Sequence, residues 1–161
     1  MRDPTDSIHR LPLAALTVAA GVLRFIRLDR PCLWADEAMT YRRVAGSFAT
    51  LAAELREDGF VPLHYVATWL LGRVVTLTPF WLRLAPAIAG TLMVPVMYFL
   101  ARELAGRRAA LLAAAMTASS AFLLFYSRDA KMYMPTWLCA VLQVALFLAW
   151  LGRGGAWRWA G

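Results

Sequence analysis

The sequence is short of charge and of cysteine. Of its 161 residues 17% are charged and two are cysteines, whereas 61% are apolar and 12% aromatic. Soluble domains average about 25% charged and about 45–50% apolar residues. A chain this apolar, with a mean hydropathy of +0.56, excludes an ordinary soluble α/β enzyme and a disordered chain alike. Cys32 and Cys139 form neither a metal-binding spacing nor a disulfide framework. Acidic residues are also scarce, ten against 17 basic ones, leaving a net charge of +7. In a soluble protein that excess would point to nucleic acid. Here no basic, aromatic-interleaved soluble face exists to carry such binding, and the arginines sit beside hydrophobic runs, where they act as topology signals and headgroup contacts.

What the chain does have is long uncharged runs. A stretch of about 18 or more apolar residues reads as a membrane span, and such runs cover residues 84–101, 109–127 and 132–152. A fourth, 11–28, is interrupted by Arg24 and Arg27 near its end. No small-residue cleavage pattern follows it, so it reads as a retained first span rather than a removed signal peptide. Segment 60–78 is apolar but carries Pro62, His64 and Arg73. With this segment at the interface and the N-terminus inside, pieces 1–10, 102–108 and 152–161 hold seven basic residues in 27, against eight in 62 for the outer pieces 29–83 and 127–133. A crossing by 60–78 would weaken that bias and strand Arg73 in the bilayer at about 2.5 kcal/mol or more.

The expectation is therefore an all-α, polytopic membrane bundle in one domain, 1–161. Four transmembrane helices at 11–28, 84–104, 109–127 and 132–152 are joined by an external loop, 29–83, that holds amphipathic juxtamembrane helices. In that loop residues 38–48 and 50–58 form short helices, with Thr50 as N-cap and Gly59 as stop. Segment 60–78 lies on the membrane, entered through Pro62. Gly90 and Pro95 loosen the second span, and the small residues of the third permit close packing.

Two groups of residues are candidates for chemistry. Asp36 and Glu37 follow the first span and an interfacial Trp34. They either complement a helix dipole from its first turn or, partly desolvated at the membrane surface, provide a base. The turn between the last two spans carries Arg128, Asp129 and Lys131 between Tyr126 and Tyr133, on the same external side. These charges either snorkel to headgroups or form a site. Arg83, at the outer start of the second span, and the Arg24/Arg27 pair have the same two readings. His64 without a second ligand is not a metal site. Carboxylates take a proton from a hydroxyl, and guanidinium groups stabilise a departing phosphate, so a lipid-phosphate-linked donor fits both halves of this constellation.

The ordered set Trp34-Ala35-Asp36-Glu37-Ala38, Pro62-Leu63-His64-Tyr65, Leu82-Arg83-Leu84-Ala85-Pro86 through Gly90 with Val94-Pro95, Gly106-Arg107-Arg108-Ala109, and Tyr126-Ser127-Arg128-Asp129-Ala130-Lys131-Met132-Tyr133 resembles the N-terminal part of GT-C superfamily membrane glycosyltransferases. The nearest pattern is that of the dolichyl-phosphate-mannose protein mannosyltransferase and aminoarabinose transferase-like families. The resemblance implies inverting transfer of a sugar from a polyprenyl-phosphate donor to a hydroxyl of a lipid, glycan or protein acceptor, outside a bacterial inner membrane. It implies that Asp36 is the general base or a metal-associated carboxylate, with Glu37 beside it. Arg83, Arg128, Asp129 and Lys131 would face the donor's phosphate and sugar, and a divalent metal is an optional cofactor. Two features depart from the pattern. Phe60-Val61-Pro62-Leu63 stands where many relatives have His-Pro-Pro-Leu, and relatives contain more spans, so the chain is expected to be the front of a longer enzyme. The alternative is a non-catalytic truncated module or assembly partner.

Overall fold

A computed structural model describes residues 5–152, which form seven α-helices and no strand. Arg2, Arg153 and Arg158, which enter the charge argument for sidedness, lie outside the described residues. Helix α1 (Thr5–Phe25) ends before residue 28, the expected limit, because Arg27 takes a left-handed φ of 51°. It buries Ala20 and Arg24 and turns Val18, Val22 and Leu23 outward.

Helix α5 (Pro79–Ser119) starts five residues ahead of the expected span. Pro79 occupies its first turn, where a missing N–H leaves no bond unmade, and the proline also holds Thr78 extended. At Gly106 the backbone adopts φ 81° and ψ −179°, a conformation essentially reserved for glycine, and the helix breaks there into limbs 79–105 and 107–119. The limbs fold back on each other. Val94 and Tyr98 of the first share one apolar core with Ala110, Ala114 and Ala118 of the second and with Ala20 of α1. Small side chains are what let these backbones approach.

The expected continuous helix 109–127 is instead divided at Ser120, whose backbone is extended and whose hydroxyl accepts the Leu123 N–H at 3.3 Å as an N-cap for α6 (Ala121–Ser127). Helix α7 (Tyr133–Gly152) packs on α5 through Met134 against Ala89 and Met93, leaving Val144, Leu146 and Phe147 exposed. Of the four expected spans, two helices are long and apolar enough to cross a membrane, α5 and α7; the apolar stretch of α1, Leu11–Phe25, is shorter.

The first loop is a cap of three helices, α2 (Ala35–Ala45), α3 (Phe48–Asp58) and α4 (Pro62–Leu71). Ser47, not Thr50, caps α3, its hydroxyl accepting the Thr50 N–H at 3.2 Å. Gly59 ends α3 with φ 65°, as expected. The amphipathic helix expected over 60–78 is only ten residues long, beginning at Pro62. It stops at Gly72, after which β-branched Val74, Val75 and Thr76 and the pre-proline Thr78 disfavour continuation. Arg73 folds back, stacking 4.4 Å from the Trp69 ring and donating to Gly46 O at 2.8 Å. Arg43 pairs with Glu54 and Asp58 and lies 4.7 Å over Phe60, holding α2 against α3. The cap's core of Val44, Leu51, Leu55 and Tyr65 also includes Leu82 of α5 and Ala130 of the α6–α7 turn, so cap and bundle pack as one body.

Candidate functional site

Helix α2 begins three residues ahead of the expected start, which puts Asp36 and Glu37 in its first turn. The two carboxylates then diverge. Glu37 turns inward and is 1% exposed. Its Oε1 and Oε2 accept Arg83 Nε and Nη2 at 2.6 and 2.5 Å, while Oε1 also accepts the Ala130 N–H at 3.0 Å and Oε2 the Trp34 N–H at 3.4 Å. Arg83, equally buried, donates its remaining N–H groups to the carbonyls of Leu28 (2.9 Å), Pro31 (3.0 Å) and Cys32 (3.3 Å). All five guanidinium donors therefore have acceptors inside the protein. A bidentate, fully hydrogen-bonded pair is the form in which two charges tolerate burial. Through it the end of α1, the start of α2, the start of α5 and the α6–α7 turn are joined at one point.

Asp36 faces the other way. It is about half exposed, and Lys131, the single lysine of the chain, brings its Nζ to 3.7 Å from Oδ1 while remaining 8% exposed itself. Asp129 is 3% exposed, and its Oδ1 has no hydrogen-bond partner. Burial, reinforced by the Glu37 charge, pushes its carboxyl up to about 6; a hydrogen bond from the Trp34 side chain and the charge of Lys131 oppose the rise. Arg128 donates Nη1 to the carbonyls of Leu23 (2.9 Å) and Ile26 (2.8 Å) and reaches those of Arg24 and Arg27 at 3.4 Å. It thus closes the C-terminal end of α1, where unpaired carbonyls and the helix dipole both attract a cation. Trp34, Glu37, Arg83, Phe125, Arg128 and Asp129 surround a cavity of about 310 Å³.

The six residues that the family resemblance assigns to a site, Asp36, Glu37, Arg83, Arg128, Asp129 and Lys131, therefore lie near one another, although 93 residues separate Glu37 from Ala130. They are not equally available. Asp36 is accessible and Asp129 Oδ1 is buried without a partner, whereas Glu37 and Arg83 are committed to each other. The donor set does not fit a metal ion: among the described residues no three His, Cys, Asp or Glu side chains group as ligands, and both oxygens of Glu37 are engaged by Arg83.

The remaining residues named from the sequence have their own places in the fold. Arg24 does not snorkel; it is fully buried and donates to Ser127 Oγ (3.1 Å), Ala20 O (3.1 Å) and Thr117 O (3.4 Å), binding α1 to α5 and α6. Gly90 makes room for it, since a Cβ there would lie 2.8 Å from Arg24 Nε and 2.7 Å from Ser127 Cβ. Arg27 is exposed. His64 is buried against the α6–α7 turn with Nε2 unpartnered, and burial lowers its imidazole to about 4. Trp34, read from the sequence only as an interfacial aromatic, lines the cavity together with Phe125, which the sequence reading does not single out; the adjacency of Trp34 to the acidic pair was the available signal. Both cysteines are free and exposed. Comparisons with models of protein families, with curated proteins and with solved structures find no match to this chain.

Proposed function

We propose that the chain is the catalytic front of a membrane glycosyltransferase that moves a sugar from a polyprenyl-phosphate carrier to an acceptor hydroxyl on the outer face of a bacterial inner membrane. The observation that carries this reading is the meeting of Asp36 with Lys131, an accessible carboxylate beside a cation, next to Asp129, whose partnerless oxygen belongs to a residue lining a cavity with Arg128. In this reading Asp36 takes the proton of the acceptor hydroxyl as its oxygen attacks the anomeric carbon. The bond from that carbon to the phosphate oxygen breaks on the opposite side, so the centre inverts through an oxocarbenium-like transition state. The carrier leaves as a polyprenyl phosphate, and Lys131 and Arg128 stabilise the charge it gains. Glu37 and Arg83 are positioning residues, which hold α2 so that Asp36 projects outward.

The membrane arrangement belongs to the same proposal. Counted along the helix, 23 residues separate Arg83 from the Gly106 turn, about 35 Å at 1.5 Å per residue, compared with about 30 Å for a hydrocarbon core. Arg102, Arg107 and Arg108 gather at that turn, at the end of the bundle away from the site, which supports a cytoplasmic hairpin between two crossings. With α1 and α7 this makes four spans and a cytoplasmic N-terminus. Leu63, Leu70 and Val74 of the cap are exposed and suit contact with lipid.

The test is transfer of radiolabelled sugar from a polyprenyl-phosphate pool by membranes containing this chain. Turnover should fall by on the order of 100-fold in Asp36→Asn, with insertion unchanged. Equal turnover in both would remove Asp36 from the mechanism, and transfer by neither would favour the non-catalytic module.

A further inference from the structure

The cavity has one wall that the transfer mechanism does not use. Trp34 and Phe125 sit at its rim, 49% and 57% exposed, with ring centroids 6.4 Å apart and planes at 62°. The indole N–H, the one polar group it has, faces the Asp129 carboxylate, and the ring makes an edge-to-face contact with Phe125. A ring fixed in this way presents an open face at little entropic cost. Beneath it lies Asp129 Oδ1, buried and without a donor. A merely interfacial tryptophan has no need of a carboxylate under its edge. The combination suits a ligand with an apolar C–H face and hydroxyl groups around its perimeter, and a cavity of about 310 Å³ is at the small end of binding sites, suited to one such ring.

We infer that Trp34 and Phe125 form a stacking platform for the single sugar ring of the donor, with Asp129 Oδ1 accepting a hydrogen bond from one of its hydroxyls. The inference rests on the glycosyl-transfer reading and adds to it the residues that recognise the sugar rather than the phosphate.

Cys32 lines the same cavity, and Cys139→Ser leaves it as the one thiol, so its modification by a maleimide reports occupancy. The full chain in liposomes would be exposed to a short isoprenyl phosphate bearing one hexose or pentose, and to the same isoprenyl phosphate without sugar. The sugar-bearing probe should slow Cys32 modification about tenfold more than the bare one. Trp34→Ala and Phe125→Leu should erase that difference and Trp34→Phe should keep most of it, with the unliganded modification rate unchanged in each as the sign of an intact fold. Equal protection by the two probes would overturn the platform while leaving carrier recognition standing. Protection by neither would overturn both readings, and an undiminished difference in Trp34→Ala with Phe125→Leu would overturn the platform alone.

Discussion

Replacing Arg83 by methionine tests whether the buried pair organises this protein. The substitution leaves a Glu37 carboxylate that is 1% exposed without its cation, close to a second buried carboxylate at Asp129, and unpairs the carbonyls of Leu28 and Pro31. Removing one partner of a buried ion pair costs about 3–5 kcal/mol, a large share of the roughly 5–15 kcal/mol that holds a typical domain together. At about 2–4 °C per kcal/mol for a chain of this size, the midpoint of thermal unfolding in lipid nanodiscs should drop by roughly 10–15 °C. Glu37→Met should cost a similar amount, because it leaves the guanidinium unpaired. The double variant carries neither charge into the interior, so it should lose far less than the sum of the two, with a coupling of on the order of 3 kcal/mol. Single losses of about 1 kcal/mol or less, or losses that add, would refute the idea that this pair carries the junction between cap and bundle.

Two titrations should act in opposite directions on stability. The carboxyl of Asp129 moves from 3.8 to about 6 on folding, so the native state binds the proton more tightly and stability falls as pH rises from about 4 to 6; Asp129→Asn should stabilise the protein at pH 7.5 by up to about 3 kcal/mol and have little effect at pH 4, as unfolding curves at the two values would reveal. His64 moves from 6.5 to about 4, so its contribution is fully present above 6.5 and is lost as pH falls towards 4; His64→Gln should lose less stability than the parent chain between pH 7 and 4.5, and parallel curves would refute this. At Gly90 an alanine Cβ would press on Ser127 and Arg24, and Gly90→Ala should cost about 1–3 kcal/mol by thermal unfolding. Gly21→Ala, whose nearest new contact is 3.5 Å away on Thr91, should be tolerated, and equal losses at the two sites would contradict the packing described.

The helical character of the chain, its uncharged runs, the stop at Gly59 and a turn in the charged gap 102–108 are legible in the sequence because each depends on local chemistry: apolar length, the charges that interrupt it, or a helix end that glycine favours. The prominence of Asp36, Glu37, Arg83 and the Arg128–Lys131 turn was legible for a similar reason, since charges are expensive beside long apolar runs. Their division of labour was not. Glu37 turns inward to partners far away in the chain, the Arg83 guanidinium and the Ala130 N–H, which local spacing does not reveal. The same holds for Arg24 and Arg128. One-dimensional reasoning offers headgroups to a basic residue at the end of a span, whereas the folded bundle offers Arg24 a hydroxyl and carbonyls from α5 and α6, and offers Arg128 the open carbonyls at the end of α1. Hydrogen bonds across about 100 residues have no signature in local spacing. The sequence by itself determined which groups were too costly to be incidental, and the tertiary structure decided which of them are consumed in holding the site together and which are left free to meet a ligand.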